Sequence, residues 1–179
     1  EKGWFDKAQE DQCRTELTIL LSEGGVNPHD MRVIGPYEFL SDVREVLSSK
    51  DFAIAIGAAN KQGNRPDNQK VSFSMCNQEI WKDFVSEYQK SYLSQISKIL
   101  ETKKVLVYNG KFDVKNSVEG TNEWLRVLPW KYRDTWNNLH HDVYIYNNET
   151  MGISKELDNL KQLVIYNAGS LSGFDQQKV

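Results

Sequence analysis

Cysteine and proline are scarce in this 179-residue chain, which holds two of the first and four of the second. Cys13 and Cys76 are too few for a disulfide-dense scaffold, and they leave the redox compartment open. No apolar run approaches the roughly 18 residues that a membrane-spanning helix requires. Neither sign of charge dominates: 22 basic residues face 25 acidic ones, for a net charge of −3. The bases are scattered rather than gathered on a stripe, so no nucleic-acid partner is expected. No residue set calls for a metal or a cofactor. The opening, Glu1-Lys2-Gly3-Trp4-Phe5, has no initiator Met and no secretory leader, and reads as a processed or trimmed start.

What is present is a chain long enough for one domain with a core. Ala8, Cys13, Leu17, Leu20 and Leu21 predict an amphipathic helix over 7–21, stopped by Gly24-Gly25. Asn27-Pro28-His29-Asp30-Met31 reads as an extended turn, because the residue before proline is pushed out of the helical region. Phe39, Val43, Val46 and Leu47 share a helical face, and the short apolar segment 51–57 follows with Asp51 as an acidic N-cap candidate. Residues 60–72 read as a polar surface loop. One long helix is predicted from Asn77 to Leu100, carrying Ile80, Phe84, Tyr88, Tyr92, Ile96 and Ile99.

Val105-Leu106-Val107-Tyr108 is wholly apolar and predicts a buried strand needing neighbours on both sides. Asn109-Gly110 is expected to turn the chain. A helix over 117–127 ends at Pro129. Residues 151–156 and 160–166 predict a hairpin turning at Asp158-Asn159. Strand, helix, then hairpin indicate part of an α/β sheet domain.

Several blocks, in order, carry a family resemblance. Val164 to Asp175 resembles the last active-site motif of the serine carboxypeptidases, which reads Gly-His-Met-Val-Pro-x-Asp at its end. Gly169 and Asp175 match; Ser170 stands at the His position, Leu171 at Met and Gly173 at Pro. Tyr108-Asn109-Gly110-Lys111-Phe112-Asp113 resembles that family's Tyr-x-Gly-x-x-Asp block, whose Asp belongs to the catalytic triad. Gly120…Trp124…Leu128-Pro129-Trp130, Phe73-x-x-Cys76-Asn77 and Asn27-x-x-Asp30-Met31 match further blocks.

The resemblance implies an α/β class: the C-terminal part of an α/β-hydrolase fold with a piece of the helical cap. Residues 1–36 would belong to the cap or insertion region, and 37–179 to the C-terminal portion of the core. The family's nucleophile lies on a Gly-x-Ser-x-Gly elbow in the other half, and no serine here has glycines two positions away on both sides. The implied catalytic positions are therefore Asp113 and Ser170 alone. A serine hydroxyl cannot take up and return a proton near neutral pH as imidazole does. His29 falls in the expected cap, and His140 and His141 in the connection after Trp136, so none is expected to substitute.

The reading is a non-catalytic carboxypeptidase homologue, inactive as this chain, acting as a binding or structural subunit. The alternative is the C-terminal chain of a two-chain serine carboxypeptidase that hydrolyses C-terminal peptide bonds. The implied partner is the N-terminal carboxypeptidase-like half or another protein chain. The resemblance also implies the secretory pathway (extracellular, lysosomal or vacuolar). Asn148-Glu149-Thr150 is a glycosylation candidate. Cys76 resembles a family cysteine bonded to the other half and Cys13 one in the cap; the two pair together, or with segments outside this chain, or Cys13 is a buried free thiol.

Overall fold

The computed structural model describes residues 23–37, 40–60, 73–74, 77–88 and 90–177. The predicted helix over 7–21, the predicted loop 60–72 apart from Asn60, and both cysteines lie outside them. The chain divides into two compact units, one spanning 36–90 and the other combining the residues up to Gly35 with those from Ser91 onward.

The 36–90 unit is helical. α1 (Leu40–Ser48) and α2 (Lys50–Ala55) are separated by Ser49, whose extended backbone and Oγ, accepting from the Phe52 N–H at 3.2 Å, cap α2. Asp51 therefore sits in the first turn of α2, where it favours the helix dipole without capping. α3 (Gln78–Tyr88) starts at Asn77, whose Oδ1 accepts from the N–H groups of Glu79 and Ile80.

The single helix predicted over 77–100 is two. α3 ends at Tyr88 and α4 (Leu93–Leu100) begins after Tyr92. A spacing of four residues cannot distinguish one helix from two laid end to end. Ile80 and Phe84 are exposed, whereas Ile96 packs against a buried core around Leu100. The two halves of the stripe face different surroundings.

In the other unit, Gly25 at φ 62° turns the chain into a short antiparallel ribbon, β1 (Val26–Asn27) against β2 (Asp30–Ile34). The extended turn expected at 27–31 is the loop of this ribbon. The main sheet has four strands: β3 (Val105–Gly110), β4 (Asp142–Tyr146), β5 (Glu149–Leu157) and β6 (Leu160–Ile165), in the order β3-β6-β5-β4. β3 and β6 run parallel, while β4, β5 and β6 form an antiparallel meander. The β5–β6 hairpin turns at Asp158, φ 54°, and the Asn159 amide ties it to α4 by donating to the Leu100 carbonyl at 2.8 Å.

α5 (Val118–Arg126), capped by Ser117, and α6 (Arg133–Asn138) complete this layer, with the single turn α7 (Ser172–Asp175) after β6. One sheet face buries Leu100, Leu125, Leu128, Trp136 and Leu160, with Val105 and Val107 packed against them. Each such side chain contributes on the order of 1.5–3 kcal/mol by leaving water. The opposite face buries Leu163, Ile165 and Ala168 beside Tyr144.

β3 differs from expectation in two ways. Among the described residues it has one neighbour, β6, and Leu106 and Tyr108 are exposed. Asn109-Gly110 ends the strand instead of turning it. Gly110 is required because a Cβ there would lie 2.0 Å from the Gly169 carbonyl oxygen and 2.5 Å from that of Ala168. Close approach of two backbones, not a turn, sets this glycine. β4 and α6 were not legible in the sequence: Asp142-Val143-Tyr144-Ile145-Tyr146 is short and at the sheet edge, and its tyrosines blur the alternation.

Candidate functional site

Parallel strands β3 and β6 end side by side, and their C-terminal ends carry the two positions singled out from sequence. The outgoing segments are knitted together by two bonds, Lys111 N–H to the Ile165 carbonyl and Phe112 N–H to the Ala168 carbonyl, both 2.9 Å. Asp113 is buried next in line. Its Oδ1 accepts from the N–H groups of Lys115 and Asn116 at 2.9 and 3.0 Å, which closes an Asx turn. Asn109 supports that turn by donating to the Asn116 carbonyl at 2.9 Å, while its own Oδ1 is buried without a hydrogen-bond partner.

Beyond β6 the chain passes Asn167, at φ 54°, and fully buried Ala168 to reach Gly169-Ser170. The Asp175 carboxylate accepts from the Gly169 N–H at 2.7 Å, and the half-buried Ser170 donates its N–H to the His29 carbonyl at 2.6 Å. Gly169 admits no side chain: a Cβ would stand 2.3 Å from the His29 carbonyl oxygen and 2.7 Å from the Asp30 Cβ.

The ribbon β1–β2 thus lies directly on the loop that carries Ser170. It also reaches the Asp113 segment, through Met31 N–H to the Phe112 carbonyl at 3.0 Å and Lys115 N–H to the Pro28 carbonyl at 3.1 Å. At its centre Asp30, 1% exposed, takes a bidentate ion pair from Arg32 at 2.9 and 2.5 Å. The Arg32 guanidinium hydrogen-bonded to Asp30 holds its carboxyl below the usual aspartate range, against the opposing effect of burial. The same guanidinium lies 3.7 Å from the Asp175 carboxylate and 4.7 Å from the centre of the Phe112 ring. One side chain therefore braces both segments.

The structure brings the Asp113 and Ser170 segments together, and it adds His29, which sequence reasoning placed in the expected cap, and Arg32, which it did not single out. The only available signal was the Asn27…Asp30 block itself. His140 and His141 are exposed and adjoin β4. Asn148 is exposed at φ 63° in the turn between β4 and β5. No cluster of metal-ligating side chains occurs among the described residues.

Comparison with known proteins agrees with this architecture. Residues 38–179 match the family model described as serine carboxypeptidase. Carboxypeptidase Y of Komagataella phaffii is 29% identical over 143 residues, which are 78% of this chain and 25% of that protein. A serine carboxypeptidase S10 family member of Dictyostelium discoideum is 30% identical over 102 residues, covering 56% of this chain and 24% of the relative. Among solved structures, a prohormone-processing carboxypeptidase from Saccharomyces cerevisiae superposes with a TM-score of 0.70 at 17% identity, over 92% of this chain and 38% of that one. This is the α/β-hydrolase fold, and the chain spans about a quarter of the length of these two curated relatives. On the match of most of its length to the family model, the chain belongs to the serine carboxypeptidase family.

Proposed function

We propose that this chain is a non-catalytic serine-carboxypeptidase homologue that works as a binding or structural subunit. One observation carries the reading: Ser170 occupies the position after β6 where the family pattern has histidine, on a loop otherwise built to hold a side chain in place. Gly110 and Gly169 still permit the close approaches, and Asp175 still holds the Gly169 N–H. Asp113 is proposed as the triad carboxylate, retained for the Asx turn it closes. Loss of the base histidine in such a triad costs on the order of 10⁶-fold in turnover.

A second reading, a working two-chain carboxypeptidase, is favoured by a single contact: the His29 carbonyl accepts from the Ser170 N–H. The backbone of His29 is therefore next to the position that lacks a histidine. Residues 1–36 are proposed to derive from the cap, whose ribbon lies over the end of β6, and 37–179 from the C-terminal part of the core. The secretory pathway is proposed from the family, with Asn148 glycosylated and Cys13 and Cys76 oxidised to each other or to a partner.

Fluorophosphonate labelling of native, unreduced material tests the main reading. No label beside a labelled active carboxypeptidase supports it. A label on a polypeptide that separates on reduction overturns it, and loss of that label in His29→Gln would identify the base.

A further inference from the structure

Lys155 is a basic side chain set into a sheet face that is mainly apolar. It stands on β5 opposite Gln162 of β6 and two residues before Leu157, so strand alternation puts it on the face that buries Leu157 and Leu160. It is 8% exposed, with its nitrogen 4.8 Å from the centre of the buried Trp136 ring. The Gln162 amide is directed to the Asn122 Oδ1, to which it donates at 2.7 Å. Acids on the surrounding elements are committed elsewhere: Glu156 to Lys161 at 2.9 Å, Asp158 to Lys131 at 4.0 Å and Asp134 to Arg133 at 3.1 Å. His140, His141 and Asp142, at the start of β4, are exposed, and no ion pair joins Lys155 to an acid among the described residues. There the Trp130 indole is the one buried side-chain nitrogen without a partner, so the Lys155 amine, unpartnered too, keeps a narrow opening to solvent.

An ammonium in this place loses hydration that the weak attraction of an indole face does not restore, and burial lowers the basicity of the amine. A desolvated lysine of this kind is an activated nucleophile. We propose that Lys155 is a covalent attachment site for a small apolar aldehyde, held as an imine beside the Trp136 ring. The nitrogen lone pair attacks the carbonyl carbon, and a proton passes from nitrogen to oxygen to give a carbinolamine. Loss of water then leaves the C=N bond. Amine and aldehyde become imine and water, so the step needs no oxidant or reductant. The class of ligand follows from the surroundings. An imine nitrogen is much less basic than an amine, so attachment removes the uncompensated charge from the apolar face. Trp136, Leu157 and Leu160 offer an apolar wall, and the narrow opening favours a small reagent. Attachment at Lys155 depends on neither reading of the Ser170 site.

The test treats the full chain with limiting propanal and sodium cyanoborohydride, which traps the imine as a propyl-lysine, and locates the adducts by peptide mass spectrometry. At pH 7 Lys155 should be alkylated at least about five-fold faster than the exposed Lys111 and Lys131, because each unit of lowered basicity raises the neutral fraction about ten-fold. The ratio should fall toward one or below as pH rises to about 10, where ordinary lysines also lose their protons. Lys155→Arg keeps a cation over Trp136 and should lose the fast adduct, with Lys111 and Lys131 reacting as before. Alkylation of Lys155 at or below the rate of those two lysines overturns the site, and so does a ratio that stays constant with pH. A fast adduct that forms only once the near-UV circular dichroism of the chain is lost assigns the reaction to unfolded protein, and also overturns it.

Discussion

Replacing Arg32 with methionine removes the guanidinium that holds the ribbon to the Ser170 loop while keeping much of the side-chain length. Asp30, 1% exposed, would keep a single backbone donor, the Arg32 N–H at 2.9 Å, for a carboxylate that loses its ion pair. Breaking a buried pair from one side costs about 3–5 kcal/mol. Arg32 is itself 37% exposed, so water can approach the vacated place and lower that figure. The lost stacking over Phe112, about 0.5–1 kcal/mol, acts in the other direction. The net expectation is about 2–3 kcal/mol, or a fall in Tm of roughly 5–10 °C for a chain of this size.

The pH dependence provides a second readout. The Asp30 pKa is lowered in the folded state, so its contribution is complete above the unfolded value of about 4 and is lost as pH falls through the folded one. Without Arg32 the buried carboxyl shifts upward, and protonation relieves the penalty. The stability gap between wild type and Arg32→Met should therefore narrow as pH falls from 7 to 4. Adding Asp30→Asn to the variant should recover part of the loss, giving a coupling above about 1 kcal/mol in a double-mutant cycle. A loss under about 0.5 kcal/mol, or independent effects of the two substitutions, would refute the brace.

Other consequences of the geometry are open to direct measurement. In urea unfolding, Gly110→Ala should destabilise by about 3 kcal/mol or prevent folding, because its Cβ meets backbone that cannot yield; Gly120→Ala in α5, whose nearest contact would be 3.4 Å, should be neutral or slightly stabilising. Lys155, 8% exposed, packs its ammonium 4.8 Å from the centre of the Trp136 ring, with no carboxylate in ion-pair range among the described residues, and burial lowers its pKa. Lys155→Met should raise stability by about 1 kcal/mol at pH 7. Wild-type stability rises as the folded lysine deprotonates before the unfolded one, so the gain should shrink toward pH 10, and a constant difference would sink the argument. Expressed in a secretory host, the chain should lose the mass of one glycan on endoglycosidase treatment, and Thr150→Ala should abolish that shift; an unmodified wild-type mass would dismiss the sequon.

The legible parts of the fold were those where one local rule decides. The helical stretch 117–127 with Pro129 beyond located α5, and Asp158-Asn159 between two apolar runs located the β5–β6 hairpin. Misreadings arose where two rules compete. Asn109-Gly110 has the composition of a turn, but its glycine answers to a carbonyl nearly sixty residues away. Residues 80–96 keep one spacing across two helices because periodicity does not record which surface each helix meets. The contact between His29 and Ser170 spans most of the described chain, and no local pattern encodes such a pairing.

That contact also bears on how the loop can lack histidine and still be formed. The backbone path through Ala168, Gly169 and Ser170 is fixed by the Phe112, His29 and Asp175 bonds and by the absence of a Cβ at Gly169. None of these interactions uses the side chain at position 170. The described contacts that fix the loop are independent of the side chain at position 170, so an imidazole in place of the hydroxyl there costs little stability. The brace is different: Asp30, Arg32 and Asp175 hold the loop to the ribbon. A chain selected for binding would keep the brace and remain indifferent to position 170, and Ser170→His should therefore change stability by less than about 1 kcal/mol.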